Sequence, residues 1–516
     1  MNIWLVSREY AGIAEAGGVK NVSCSLSETL VHLGNKVTLF IPVYGCTDLS
    51  HLDFFREYAY PEANISCCGK TYTVGYAQGR MNGVNIVFVC HPLFAEKKAV
   101  YVYTREEEKE NPLHKSAEGH LDSKLLNILF QRAVASFGHG LDRNLIPDII
   151  HCQDATTALI PSFVMGDELY SETKCVVTIH NAGPGYHHEF GSLDEAFEYT
   201  GLDREFLRKG LNGCCVEPFL LSAQNAVLTT VSPQYADEIM TGRTETAGLS
   251  ESFNRIGVEI IGITNGIDIA KYDPMDMNAS LLPVTFDPFN RKLAGKYECR
   301  RILLEEYAGS ETSGILRSGI EQYGYLSPEN GPTAYFGYHG RLVSQKGIKV
   351  LAEAAGAILQ KNLAAKFIFI GQGQKDLEMD LLHLALNYEG RCVCFRGYDR
   401  KLSRLCIAAS DFMTFPSYFE PCGLEDFIAQ IYGTIPVAHA TGGLCKIVNQ
   451  ETGFLYSPNQ PKYLEDIMYS LIKIKTTEAH IFNNMITYAA NYVKENYSWS
   501  VVGEKYQKLY LSLIEH

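Results

Sequence analysis

Residues 415–444, FPSYFEPCGLEDFIAQIYGTIPVAHATGGL, decide how the chain is read. An apolar run ending at Phe415 is followed by Glu420 and a Pro-Cys-Gly turn at 421–423. A helix-compatible run comes next, then a second apolar run and a second glycine turn, Thr441-Gly442-Gly443. Such turns can present backbone N–H groups to an anion, here those of Cys422, Gly423 and Leu424 on one side and of the 441–443 turn on the other. One carboxylate beside two amide-lined turns suits a sugar held next to a diphosphate. The same string also serves as an ordinary strand–turn–helix punctuated by glycine. The basic pair Arg341 and Lys346, upstream in GRLVSQKG, tips the reading toward an anion site.

Working outward, the strand–turn–helix alternation recurs along the chain. Strand-like runs at 1–7, 36–42, 84–90, 148–151, 175–180 and 226–231 form a first series, with Gly17-Gly18 opening a helix that lasts to about Leu33. A charged segment, TREEEKENPLHKSAEG at 104–119, interrupts it and reads as exposed. A second series begins after a proline-bearing stretch at 274–288, with strands at 334–339, 365–370, 392–396, 412–415 and 435–438 and helices at 347–360 and 464–474. This is the pattern of doubly wound parallel sheets, which bind ligands at the carboxyl ends of their strands. Two such halves predict a ligand cleft between them. Neither glycine loop is a dinucleotide fingerprint: EAGGVKNV lacks the G-x-G-x-x-G spacing and GQGQKD holds only its first half, so a nicotinamide enzyme is a poor reading.

Bulk properties agree. At 516 residues the chain is too long for one core, so two domains are expected. A formal net charge of −14 argues against nucleic acid or an anionic membrane as the main partner. An anionic substrate then needs a local basic pocket. The fifteen cysteines form no C-x-x-C pairs, so neither a structural zinc site nor a disulfide framework is predicted. Two adjacent histidines, His187 and His188 in PGYHHEF, do not make a metal site without further ligands. The start, MNIWLVSREY, reads as a short strand rather than a signal peptide, and no apolar run approaches ~20 residues. A reducing cytoplasm is the expected setting.

Together the motifs resemble the bacterial glycogen synthases and plant starch synthases, a retaining glycosyltransferase family. The ordered series carries the resemblance nearly end to end: REYAGIAEAGGVKNV, HLGNKVTLFIPVYG, HCQDATTALIP, TIHNAG, TTVSPQYADEI, GITNGIDIAKYDP, GRLVSQKG, FIGQGQ, RGYDRKL, SYFEPCGL, TGGL and ETGFLYSP. It implies the GT-B fold, an α/β architecture of two Rossmann-like domains facing a central cleft. The acceptor-side domain would cover 1–270, the nucleotide-sugar-binding domain 271–500, and a last helix within 501–516 would cross back to the first domain. The implied activity is transfer of glucose from ADP-glucose to an α-1,4-glucan such as glycogen, without cofactor or metal. No D-x-D pair is present where a metal-bridged diphosphate would need one.

The resemblance also assigns roles. Arg341 and Lys346 become the diphosphate clamp, where cations stabilise developing phosphate charge. Glu420 grips the sugar hydroxyls, His180, Asn181 and Asp154 lie near the glucose, and Tyr398 stacks on the nucleobase. The family's first loop usually reads Lys-x-Gly-Gly-Leu-Gly-Asp, whereas this chain has Glu15-Ala16-Gly17-Gly18-Val19-Lys20-Asn21. A glutamate there would repel a donor phosphate unless Lys20 supplies the charge from a new position. Lys446 stands where an acid is usual. Two other readings follow: a sucrose-synthase-like transferase of the same fold, and a weakly active glucan-binding homologue. Oligomeric state and the choice of ADP over UDP are not legible.

Overall fold

The protein, a computed structural model, is described at residues 1–310, 316–317, 319–329 and 331–515. It divides into two compact units, Met1–Gly266 together with Trp499–His516, and Ile267–Ser498. The break falls after Gly266, a few residues before the expected 270, and the last helix begins at Trp499.

Unit one is built on a nine-stranded sheet: β1 (Asn2–Val6), β2 (Lys36–Pro42), β3 (Phe54–Cys67), β4 (Lys70–Met81), β5 (Val84–Cys90), β6 (Ile149–Gln153), β7 (Lys174–Ile179), β8 (Val227–Thr230) and β9 (Ile260–Gly262). The order is β9-β8-β7-β6-β1-β2-β5-β4-β3, parallel from β9 to β5, with β3 and β4 added antiparallel. The central strands read as unbroken apolar runs because both faces are covered; Ile3, Leu5 and Val6 are fully buried. The meander β3–β4 escapes a sequence reading. In FFREYAYPEANISC only Ile65 and Cys67 are buried, and irregularities near Arg56, Tyr60 and Ala63 break the alternation. Within the charged 104–119 segment, Arg105–Glu110 is a short helix whose capping box joins Thr104 and Glu107. Glu107 is buried there rather than exposed.

The helix Val19–His32 covers one face of this sheet, and the C-terminal helix Trp499–Ile514 packs on it. Asn35 donates to Gln507 at 3.0 Å. Tyr510 and Thr178 bracket the imidazole of His151 at 2.7 Å each. Burial pushes the His151 pKa down to about 3, so this histidine is a neutral link between the sheet and the last helix.

Unit two carries an eight-stranded sheet: β10 (Leu316–Arg317), β11 (Ile320–Leu326), β12 (Ala334–His339), β13 (Ala365–Gly371), β14 (Arg391–Arg396), β15 (Phe412–Phe415), β16 (Ile435–His439) and β17 (Phe454–Tyr456). Its order is β10-β11-β14-β13-β12-β15-β16-β17, parallel from β14 to β17. The chain steps from β12 to β13 on one side and crosses from β14 to β15 on the other. In unit one the same reversal lies between β1 and β6. Each sheet therefore has a topological switch point, the place where open α/β sheets hold ligands.

A charged core holds unit two together. Asp411 is fully buried. It accepts hydrogen bonds from Arg300 at 2.7 Å and from the Tyr335 amide at 3.0 Å, and pairs with Lys475 at 2.8 Å. Next to it Lys296 donates to the carbonyls of Ala408 and Ser410 and to the Thr434 hydroxyl. Burial alone would raise the Asp411 pKa, but Arg300, Lys475 and Lys296 outweigh it and hold it at about 2.

Asp411→Asn leaves two or three buried cations without their counter-charge. It should cost about 3–5 kcal/mol of stability, read as a lowered urea midpoint. Because the folded pKa lies below the ordinary 3.8, the wild-type contribution is complete above that pH. It fades as pH falls toward 2, and the gap between wild type and variant should close in the same window.

Candidate active site

The candidate residues of unit two follow the carboxyl ends of four neighbouring strands. Arg341 and Lys346 follow β12, Tyr398 follows β14, Glu420–Leu424 follow β15, and Thr441–Gly443 follow β16. The fold brings part of this set together. Lys346 Nζ is paired with the Glu420 carboxylate, and Ser417 Oγ donates to the same oxygen at 3.3 Å. These residues, with Gly423 and Leu424, line a cavity of about 90 Å³, room for a handful of waters. The amides of Gly423 and Leu424 make no hydrogen bond among the described residues. His339 and Glu425 complete the wall, His339 Nδ1 lying 3.3 Å from the Glu425 carboxylate. Burial opposes ionisation of Glu425, yet that bond and the charges of Lys346 and Arg404 lower its pKa.

Arg341 is exposed and does not line this cavity; its guanidinium makes no hydrogen bond or ion pair among the described residues. Convergence of Arg341 and Lys346 on one point is therefore not seen: Lys346 is already neutralised by Glu420, and an unpaired guanidinium stays solvated. Tyr398 is 65% exposed, so it is not the half-buried core tyrosine its sequence neighbours also allow. A larger cavity of about 930 Å³, among Tyr297, Arg300, Tyr325 and Lys475, holds none of the candidate residues.

The second glycine turn behaves differently from expectation. Gly443 donates its amide to the Glu420 carbonyl at 2.8 Å, Leu444 to Thr441, and Thr441 to His439. Those three N–H groups serve the fold rather than an anion. The glycines are required by closeness: a Cβ on Gly442 would fall 2.1 Å from the Glu420 carbonyl oxygen, and one on Gly443 1.9 Å from that of Cys422. Lys446 locks the contact. Its ammonium is buried and donates to the Cys422 carbonyl at 2.6 Å, the Gly423 carbonyl at 2.8 Å and Asp426 at 2.9 Å. With the Cys422 and Gly423 carbonyls drawn onto Lys446, the first turn is held against the second. Burial raises the Asp426 pKa to about 6 against the pull of Lys446.

In unit one the corresponding loops follow β1, β6 and β7. The glycine loop after β1 already holds an internal carboxylate. Glu9, missed in the sequence reading, accepts from the amides of Gly17 at 2.6 Å and Ala16 at 3.2 Å, and from the Tyr101 hydroxyl. Burial raises its pKa. Gly18 N-caps the following helix. Glu15 neither stands alone nor repels freely: it pairs with Lys20 at 2.6 Å and accepts the Gly12 amide at 2.8 Å. Lys20 is thus engaged by Glu15 and is not a free replacement for the family lysine.

His180 is held by Gln153 through Nε2 at 2.8 Å, and burial pushes its pKa down to about 4, so the ring is neutral. Asn181 bends back onto the Gly183 amide at 2.8 Å. Asp154 sits between the ends of β6 and β7 with φ 67 and ψ 176, a region occupied essentially by glycine alone. One of its carboxylate oxygens is buried without a hydrogen-bond partner among the described residues. Burial pushes its pKa up to about 7, against the backbone amides of His180, Ala155 and Asn181. Asp154 is thus a strained carboxylate of raised pKa beside a neutral histidine.

Comparisons with known proteins place the chain in a family. Residues 2–255 match the family Starch synthase catalytic domain, and 327–491 match Glycosyl transferases group 1. A glycogen synthase of Thermodesulfovibrio yellowstonii is 31% identical over all of this chain and 98% of its own length. The chain belongs to the glycogen synthase family. Another family member, from Flavobacterium johnsoniae, is 27% identical with both chains fully covered. Among solved structures, the catalytic domain of starch synthase IV from Arabidopsis thaliana, bound to ADP and acarbose, superposes with a TM-score of 0.78 at 24% identity, covering 100% of this chain and 99% of that one. Sucrose-phosphate synthase from Thermosynechococcus elongatus reaches only 0.54 at 15% identity, with 99% of each chain covered. Both likenesses establish the GT-B fold, and the family makes this chain a hexosyltransferase.

Two outcomes test the geometry. Asp154→Gly removes a strained conformation and should raise stability by about 1–3 kcal/mol. Because the folded pKa of Asp154 lies above its ordinary value, wild-type stability falls as pH rises from about 4 to 7. The gain in unfolding midpoint should accordingly be larger at pH 8 than at pH 5. Gly443→Ala should cost about 1–3 kcal/mol or more through overpacking, since Cys422 backbone must move; an unchanged midpoint would contradict the contact described.

Proposed function

We propose that this chain is a cytoplasmic glycogen synthase that moves glucose from ADP-glucose to the non-reducing end of an α-1,4-glucan with retention of configuration. The observation that carries the reading is the Lys346–Glu420 pair at the switch point of unit two, next to the open amides of Gly423 and Leu424. Before the donor binds, the cation and the carboxylate neutralise each other. The donor then offers each a better partner: the diphosphate takes Lys346, and the sugar hydroxyls take Glu420. The exchange spares both groups the cost of waiting unpaired in a half-buried site. Arg341, exposed and uncommitted, is available to the outer phosphate, and Tyr398 to the base. Acarbose and ADP in the related starch synthase support a glucan acceptor and a nucleotide donor here.

The bond from the sugar C1 to the leaving diphosphate oxygen breaks as the acceptor O4 attacks the same face. The acceptor proton passes to the departing phosphate. Lys346 and the amides hold the charge that develops, and His180, Asn181 and Asp154 orient the glucose. Full-length likeness to glycogen synthases favours this reading over a sucrose-synthase-like one.

A donor panel with glycogen as acceptor tests it: ADP-glucose should support glucose incorporation and ADP release more efficiently than UDP-glucose. Lys346→Ala and Glu420→Gln should each lower turnover by about 100-fold with the fold intact; wild-type rates in both would sink the site. The glycine loop gives a separate outcome. Glu15→Gln frees Lys20 and removes a carboxylate, so KM for ADP-glucose should fall. A raised KM would mean that the Glu15–Lys20 pair itself shapes the donor site.

A further inference from the structure

A second cluster of polar side chains lies in unit one, between the loop after His180–Asn181 and the segment around Glu217, outside the roles assigned above. His187, Glu189 and Glu217 each offer a ligand atom within 4.8 Å of the other two. His187 and Glu217 are almost wholly buried, with side chains 2% exposed. The imidazole is tied at both nitrogens: Nε2 lies 2.8 Å from the Ala182 carbonyl, and Nδ1 lies 3.1 Å from Glu217 Oε1. A carbonyl can only accept, so Nε2 carries the ring proton. Nδ1 therefore faces the Glu217 carboxylate, and a positive charge, either a second ring proton or a cation, joins the two. The other carboxylate oxygen of Glu217, Oε2, is buried with no hydrogen-bond partner among the described residues, and a second carboxylate, Glu189, offers an oxygen within 4.8 Å of both.

We propose that His187, Glu189 and Glu217 bind a first-row divalent cation such as Zn²⁺, with water in the remaining position. One nitrogen and two carboxylate oxygens form a mixed donor set that suits such an ion. Zinc holds its nitrogen and oxygen ligands at about 2.0–2.2 Å, which puts neighbouring ligand atoms roughly 3–3.5 Å apart, as Nδ1 and Oε1 already are. The Nε2–H bond to the Ala182 carbonyl is the outer-shell contact that metal-bound histidines use to fix their tautomer and orientation. The ion satisfies the orphaned Oε2 and balances two carboxylates that the single imidazole cannot. It also joins the loop that begins at Asn181 to the segment leading from Cys215–Val216 into the helix Pro218–Ser222. Its part is to brace the loop carrying His180 and Asn181, not to bridge a diphosphate. The proposal does not depend on which sugar donor is used.

The test reads binding directly. The full chain, stripped with chelator and dialysed, is titrated with Zn²⁺ by calorimetry and with Co²⁺ by visible absorption. One equivalent should bind, Co²⁺ should show the d–d bands of a low-coordinate nitrogen–oxygen site, and Tm should rise with metal concentration. His187→Gln and Glu217→Gln should each weaken binding by about 100-fold or more, beyond the 10–100-fold typical of outer-shell losses. Glu189→Gln, at a half-buried position, should weaken it as well and serves if the buried variants do not fold. Absence of stoichiometric binding overturns the site. So does binding unchanged in the variants, which would assign the ion to cysteines and leave a proton on His187 as the counter-charge.

Discussion

The candidate site hangs on one buried ammonium. Lys446 gathers the carbonyls of Cys422 and Gly423 and the Asp426 carboxylate, and so forces two turns from different strands into backbone contact. Every other feature of unit two's site follows. Gly442 and Gly443 must lack side chains because the Glu420 and Cys422 carbonyls lie against them. Glu420 is fixed from behind by the Gly443 amide, which sets its carboxylate toward Lys346. The Gly423 and Leu424 amides remain without partners among the described residues. A lysine cation suits this position because its several donors satisfy carbonyls that the sharp turn would otherwise leave buried and unpaired.

The glycine loop of unit one solves the opposite problem. There the backbone donors are engaged by Glu9, and the side-chain charge of Lys20 is engaged by Glu15. A loop expected to greet an anion is, in the free protein, closed by anions of its own. The raised pKa of Glu9 means that its ionised form is held at a cost.

Much of the fold was legible because parallel strands covered on both faces announce themselves as short apolar runs between glycine turns. The strings ending at Val6, Phe415 and His339 are of this kind. What was not legible had no such signature. The β3–β4 meander is irregular in register and β3 is exposed along most of its length, so its pairing is set by neighbours rather than by its own pattern. The site was legible as a set of positions but not as a set of partnerships. Lys346 and Glu420 are 74 residues apart and Lys446 and Cys422 are 24 apart, and nothing local reveals that the lysine rests on the glutamate. Ser417 and Glu425 stood inside the 415–444 stretch, but their types carry no signal without geometry. Glu9 could have been suspected as an acid just upstream of a glycine pair. His187, set aside for want of further ligands, acquires them only when Glu217 is folded beside it.

The chain leaves unit one after Gly266 and re-enters it at Trp499, and at that passage Ile267 donates its amide to the Tyr497 carbonyl at 2.8 Å while bridging Ser498. Two segments separated by more than two hundred residues are thus fastened side by side. In genetic terms unit two is an insertion whose entry and exit are spliced at one point. Joining residue 266 to residue 499 through a few glycines would return unit one as a continuous chain, with its last helix still able to reach Asn35 and His151. The nine-stranded sheet and its loops would then be open to study as a separate protein.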